Sequence, residues 1–200
     1  MLNENQEDIS ELETNDNGNL TFKNIKPGTY YLEETKAPTG YKLNNKKYKI
    51  IISKDGQANV DNIDDNLQIS KNTMNNISLI MKNHELLGNI KIKKVDRDDT
   101  KKVLEGASFA IATSEEDALN KRFIKVSNNG ELVYPNDERY SDQLKNCEVI
   151  SDKNGLATFS NLKLNESNGD IYYLVETKAP KNYELLDTYL KVTAEEAGAE

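Results

Sequence analysis

"YYLEETKAPTGY" (residues 30–41) and "YYLVETKAPKNY" (residues 172–183) are two versions of one twelve-residue stretch, in step at an offset of 142 positions from Glu34 to Glu176. That spacing far exceeds the period of a solenoid or propeller repeat, so it marks two copies of one domain. In an extended chain alternate residues face the same way. Tyr30, Leu32 and Glu34 therefore share a face, as do Tyr172, Leu174 and Glu176. A leucine turned into a core takes its glutamate with it. The opposite face carries Glu33 in one copy and Val175 in the other, the variation of an outer surface. Two readings of the glutamates are open. A carboxylate at a strand end can reach water, since carboxylates are almost never fully buried unless paired. A carboxyl held inside is instead driven toward its protonated form, which makes it a proton donor.

Outward from these stretches the chain reads as short strands rich in β-branched and aromatic residues. They are "NLTFKNI" (19–25), "KKYKIIIS" (46–53), "ISLIMKN" (77–83), "GNIKIKKVD" (88–96) and "ASFAIAT" (107–113), then "LATFSNL" (156–162), "IYYLVET" (171–177) and "TYLKVTA" (188–194). Asn17-Gly18, Asp55-Gly56, Asn129-Gly130 and Asn154-Gly155 are turn dipeptides that favour positive φ. One short acidic helix is expected around "SEEDALNKR" (114–122). Regular short strands with turn signals give an all-β chain of antiparallel β-sandwiches.

Alignment of the two copies sets the domain boundaries. "NGNLTFKNI" matches "NGLATFSNL", so the first copy begins one strand before its repeated stretch, whereas the second has "NIKIKKVD" and "ASFAIAT" ahead of that point. The first copy closes on "ISLIMKN", and the second has only "TYLKVTA" after its stretch. The expectation is a first domain over residues 1–84 without its opening strands, a linker over 85–87, and a second domain over 88–200 without its closing strand.

Composition excludes several function classes. A net charge of −8 argues against a nucleic-acid surface. No apolar run approaches the roughly 20 residues of a membrane span. Residues 2–11, "LNENQEDISE", lack the basic and apolar regions of a signal peptide, so export and anchoring signals are expected outside this chain. The single Cys147 forms no internal disulfide and reads as a buried or half-buried filler. No Ser-His-Asp or Cys-His set, zinc spacing or phosphate loop is visible, and neither a cofactor nor a metal is expected.

The repeated stretches resemble the E-box of Cna protein B-type (CnaB, or SpaA-like pilin) domains of Gram-positive surface proteins. "GNIKIKKVDRDDTKKVLEGASFAI" (88–111) is similar to that family's opening strand pair, and "ISLIMKNHE" (77–85) to its closing strand. The resemblance implies tandem transthyretin-like sandwiches, each crosslinked by an isopeptide bond from a lysine on the first strand to an asparagine or aspartate on the last. By the same resemblance Glu34 and Glu176 are the promoters, Lys91 the amine and Asn83 the acceptor. A buried lysine has its pKa lowered and becomes nucleophilic, and a protonated glutamic acid can polarise the amide and pass a proton to departing ammonia. Such a bond forms once per domain and is maturation, not enzymatic turnover.

Period-2 reading treats the partners unequally. Ile77, Leu79, Met81 and Asn83 share a face, which turns Asn83 inward with the apolar side chains. Ile90 and Ile92 alternate against Lys91, so either that strand is buried on both sides or Lys93 is the reactive amine. Lys91 and Glu176 have no asparagine after Asn182, and Glu34 and Asn83 have no opening-strand lysine before them. Each set is incomplete within its own domain, which places the missing partners outside this chain or in another molecule.

Weaker signals remain. "VYPN" (133–136) is similar to the pilin motif YPK but carries Asn136 in place of the lysine that sortase uses. "DRDD" (96–99) lacks the ligand spacing and glycine of a calcium loop and reads as a solvated turn. His84 has no metal-binding partners in the sequence. Asn182 stands where the first copy has Gly40, a position expected to need positive φ. Two functions fit: a structural stalk on the cell surface beside neighbouring CnaB domains, with sortase-anchored assembly implied by the resemblance, or an adhesive module gripping a host matrix protein or glycan. The insert over residues 114–145 would serve adhesion, but it is acidic and poor in aromatics.

Overall fold

Strand β13 (Asp170–Lys178) places Tyr172, Leu174 and Glu176 in the interior and leaves Tyr173, Val175 and Thr177 half-buried on its other face, as its period-2 pattern dictates. Around it, a computed structural model describes residues 1–3, 5, 7, 10–166 and 169–196. The chain divides into two compact units, Met1–Glu85 and Leu86–Glu200. The last four residues of the expected second domain lie outside the described ones.

In the first unit β1 (Gly28–Leu32), β2 (Tyr48–Ile52) and β3 (Ala58–Asp61) form an antiparallel sheet, and β4 (Leu67–Thr73) with β5 (Asn76–Met81) forms a hairpin. Gly56, at φ 82°, makes the β2–β3 turn, as Asp55-Gly56 predicts. The two layers meet on Tyr48, Ile50, Val60 and Leu67, with Tyr30, Leu32, Ile77, Leu79 and Met81 packed against them. Residues 19–25 form no strand, contrary to expectation. Their counterpart in the second unit is β12 (Leu156–Lys163), whose backbone pairs with β6 (Leu87–Lys93). The described residues of the first unit contain no strand in the role of β6. β-propensity expresses itself only where a neighbour accepts the backbone hydrogen bonds.

The second unit adds β7 (Ser108–Ala112), α1 (Glu115–Leu119), β8 (Lys125–Val126), β9 (Leu132–Val133), β10 (Lys145–Asn146), β11 (Glu148–Ile150) and β14 (Tyr189–Glu196). Its antiparallel strands run in the order β11-β7-β13-β14-β6-β12. Strand β14 joins the two layers: Tyr189 to Ala194 pair with β13, whereas Glu195 and Glu196 pair with Asn89 and Gly88 of β6. Ile90, Phe109, Ile111, Phe159, Leu162, Tyr172 and Leu174 fill the space between. Full burial of each such side chain contributes about 1.5–3 kcal/mol.

β7 is buried on both faces. Phe109 and Ile111 enter the main core, while Ala110 and Ala112 face a second cluster with Ala118 of α1 and Phe123. Small residues on that outer face let the helix approach. Ser114 caps it by accepting from the Asp117 amide at 3.1 Å, and Glu115, Glu116 and Asp117 place negative charge in its first turn. The insert is therefore ordered, with its own three-stranded sheet β10-β8-β9 and buried Ile124 and Val133. The architecture is all-β, with antiparallel strands packed in layers.

Candidate functional site

Each repeated stretch ends in a loop that folds back onto its own glutamate. Pro38 accepts from the Tyr41 amide and Pro180 from the Tyr183 amide, both at 3.1 Å. Gly40 and Asn182 precede those tyrosines at φ 84° and 68°, so the positive φ expected at both positions is present. The loop then supplies a backbone N–H from ten residues downstream: Asn44 N donates to Glu34 Oε2 and Leu186 N to Glu176 Oε2, each at 2.8 Å. The two sites thus share one frame.

What each glutamate faces differs. Glu34, half-buried, accepts from Asn83 Nδ2 at 2.7 Å, and the same amide nitrogen donates to the Lys42 carbonyl at 3.0 Å. Asn83 follows directly from the inward face of β5, where Ile77, Leu79 and Met81 pack on the core. Its amide nitrogen is held against the carboxyl. Glu176 is buried, with its side chain 0% exposed, and faces Lys94 Nζ at 2.8 Å. Oε1 receives no well-aligned hydrogen bond among the described residues, so the ammonium approaches it as a charge and leaves lone-pair capacity for another group.

The lysine set against Glu176 is Lys94, not Lys91 or Lys93. Lys91 and Lys93 are exposed on β6, opposite Thr158 and Leu156 of β12. Ile90 and Ile92 define the inward face of β6, and the next residue in that register is Lys94. Extending the same alternation by one step in the sequence would have found it. Lys94 is fixed by its backbone: its amide donates to the Gly155 carbonyl at 2.7 Å, and its carbonyl accepts from Leu104 at 3.0 Å. Gly155 has φ 73°, and a Cβ there would lie 2.5 Å from the Lys94 carbonyl oxygen. Only glycine permits that approach.

The Lys94–Glu176 pair can exchange a proton. Moving it from Nζ to Oε1 across the 2.8 Å contact would turn the ammonium and the carboxylate into a neutral amine and a neutral acid. The products are a nucleophile and a general acid in contact.

Other residues singled out in the sequence have structural places. Asp96 accepts from the Asp98 and Asp99 amides and the Tyr183 hydroxyl, forming a turn. Among the described residues no cluster of three His, Cys, Asp or Glu could hold a metal ion. His84 Nε2 lies 3.1 Å from Asn66 Oδ1. Cys147 is half-buried, and burial pushes its thiol up to about 11. Asn136 is exposed after buried Pro135. No helix among the described residues is long and apolar enough to cross a membrane.

Comparison with solved structures finds the same architecture in the Bacillus anthracis TIE protein. The identity is 22% over 92% of this chain and 26% of that one, with TM-score 0.57. The group B streptococcus pilus 2b backbone protein is 23% identical over 78% of this chain and 44% of its own, at TM-score 0.41. The C-terminal fragment of the pilus adhesin SpaC from Lactobacillus rhamnosus GG is 19% identical over 86% and 62%, at TM-score 0.44. The chain spans less than two thirds of each. No curated protein matches. The SpaA family of prealbumin-like fold domains matches residues 1–66 and 88–200. Those matches cover both repeated stretches and most of both units, and the chain belongs to the SpaA prealbumin-like domain family.

Proposed function

We propose that this chain is a structural stalk segment of a Gram-positive cell-surface adhesin or pilus-associated protein, stiffened by isopeptide bonds that its own folding forms. The observation that carries this reading is the shared frame around Glu34 and Glu176, with Asn83 facing one glutamate and Lys94 facing the other. Each unit presents two members of a lysine–glutamate–asparagine set. The third member, a lysine for the first unit and an asparagine or aspartate for the second, comes from residues other than those described.

In the second unit Glu176 takes a proton from Lys94. The neutral amine attacks the side-chain carbonyl carbon of the incoming residue while the glutamic acid hydrogen-bonds its oxygen. Glu176 gives its proton to the leaving group, and collapse of the tetrahedral species expels ammonia from asparagine, or water from a protonated aspartate. The remaining extra proton on the Lys94 nitrogen passes to the Glu176 carboxylate to leave the neutral amide. In the first unit Asn83 is the acceptor and Glu34 plays the same part. Folding supplies the proximity that makes a single-turnover reaction feasible.

The insert over 114–145 supports a stalk over an adhesive module, because its Phe123, Ile124 and Val133 are spent on packing. The pilus proteins of similar fold support a surface location and assembly with further domains of this type. Intact mass of the full-length protein tests the reading. Each completed bond removes one ammonia or one water, and a branched tryptic peptide containing Lys94 identifies the second-unit bond. Lys94→Ala and Glu176→Ala should each abolish it. Unreduced mass in the wild-type protein would refute the proposal.

A further inference from the structure

Lys94 and Asp96 leave β6 two residues apart, and both reach the segment that carries Glu176. Lys94 meets the glutamate itself. Asp96 Oδ2 accepts from the Tyr183 hydroxyl at 2.5 Å, at the far side of the turn closed by Pro180 and Asn182. Lys102 completes the cluster, with Nζ 3.4 Å from Asp96 Oδ2 and 5.5 Å from the centre of the Tyr183 ring. Three residues after Tyr183, Leu186 donates its amide to Glu176 Oε2. The loop between Glu176 and Leu186 is thus tied to the end of β6 at both the glutamate and the tyrosine.

The first unit provides an internal contrast. Tyr41 occupies the place of Tyr183 with the same turn, yet the residue is 42% exposed. That loop is tied instead through its backbone, by the Tyr41–Glu85 bridge and by Lys42 N donating to the His84 carbonyl at 2.8 Å. One loop is thus held from the strand that supplies the amine, and the other from the chain just beyond the acceptor. The repeated terminal tyrosine has a side-chain anchor only where the opening strand brings a carboxylate to it.

We infer that Tyr183 and Asp96 are positioning residues that latch the Glu176 loop to the end of β6, fixing the carboxyl against Lys94. The inference rests on the isopeptide reading only for its purpose, since the latch itself is a property of this chain. The hydroxyl of Tyr183 strongly depresses the Asp96 carboxyl, in keeping with a charge-assisted bond. Loss of a hydrogen bond to a charged group is worth roughly a tenfold or greater change in a local opening equilibrium.

Amide hydrogen exchange on the present chain tests the latch. Tyr183→Phe and Asp96→Ala should each speed exchange at Leu186 about tenfold, while Asp96→Asn, which keeps an acceptor for the hydroxyl, should restore slow exchange. Leu164 and Ser151, bonded to the Leu86 and Ala107 carbonyls away from the loop, should keep their wild-type rates. In the same variants Lys94 should acetylate faster under trace labelling, because its carboxyl partner is no longer held. Unchanged exchange at Leu186 in Tyr183→Phe would overturn the inference, as would an equal rise at Leu164 and Ser151, which would mean general loosening. Failure of the isopeptide reading appears separately, as wild-type mass in the full-length protein with the exchange pattern intact.

Discussion

Replacing Lys94 by Met isolates the energetics of the buried pair. Glu176 has a side chain fully removed from water, and its charge is balanced by Lys94 at 2.8 Å and the Leu186 amide. Methionine preserves much of the lysine stem but leaves the carboxyl with a single hydrogen bond. Breaking a buried pair from one side costs about 3–5 kcal/mol. Lys94 is 24% exposed, so water enters on its side and part of the penalty is relieved. The expected loss is therefore about 2–3 kcal/mol. Glu176→Gln should cost less, about 1–2 kcal/mol, because the amide oxygen still accepts from Leu186 and the freed ammonium can turn to solvent. Combining the two removes both charges, so the double variant should be more stable than the sum predicts, with a coupling of about 1–2 kcal/mol. The two units make a single melting curve ambiguous. Urea titration read by hydrogen exchange on peptides from β6 and β13 reports the second unit alone. Coupling below about 0.5 kcal/mol would refute the view that Lys94 and Glu176 form an energetically meaningful pair.

Other outcomes follow from the same geometry. Asn83→Asp sets a second carboxylate against Glu34 at the 2.7 Å contact and should destabilise the first unit by about 1 kcal/mol at neutral pH, with recovery on acidification; urea titrations at two pH values check this. The Asp96 carboxyl is lowered from 3.8 to about 2, chiefly by the Tyr183 hydroxyl. Its contribution should be fully present above about pH 4 and lost as pH falls toward 2, so Asp96→Asn should flatten that part of the acid-unfolding curve. Asn182→Ala should lower stability by about 1 kcal/mol, and Asn182→Gly should be near neutral, since only the alanine meets a Cβ penalty at φ 68°; thermal melts distinguish them. Cys147, with its thiol raised to about 11 by burial, should resist alkylation at pH 8 until the second unit unfolds, as peptide mass mapping would reveal.

The sequence by itself determined the all-β class and the duplication. It also set Glu34, Glu176 and Asn83 on the faces of their apolar neighbours while leaving open whether the glutamates reach water, because a period of two fixes which residues share a face whatever lies around them. It also determined the positive φ at Asn182, a local demand met by the residue that best tolerates it after glycine. The face of Ile90 and Ile92 runs on to Lys94, a residue that the sequence reading of Lys91 or Lys93 as the amine misses. Only the tertiary structure decided the rest. Residues 19–25 and β12 carry matching sequences, yet only the copy with β6 alongside becomes a strand, because backbone pairing needs a partner that propensity cannot supply. Asp96 reads as a solvated turn residue and becomes an anchor because the fold returns Tyr183 to within 2.5 Å of it. Local patterns set the direction of a side chain; which group it meets depends on chain crossings that no local pattern encodes.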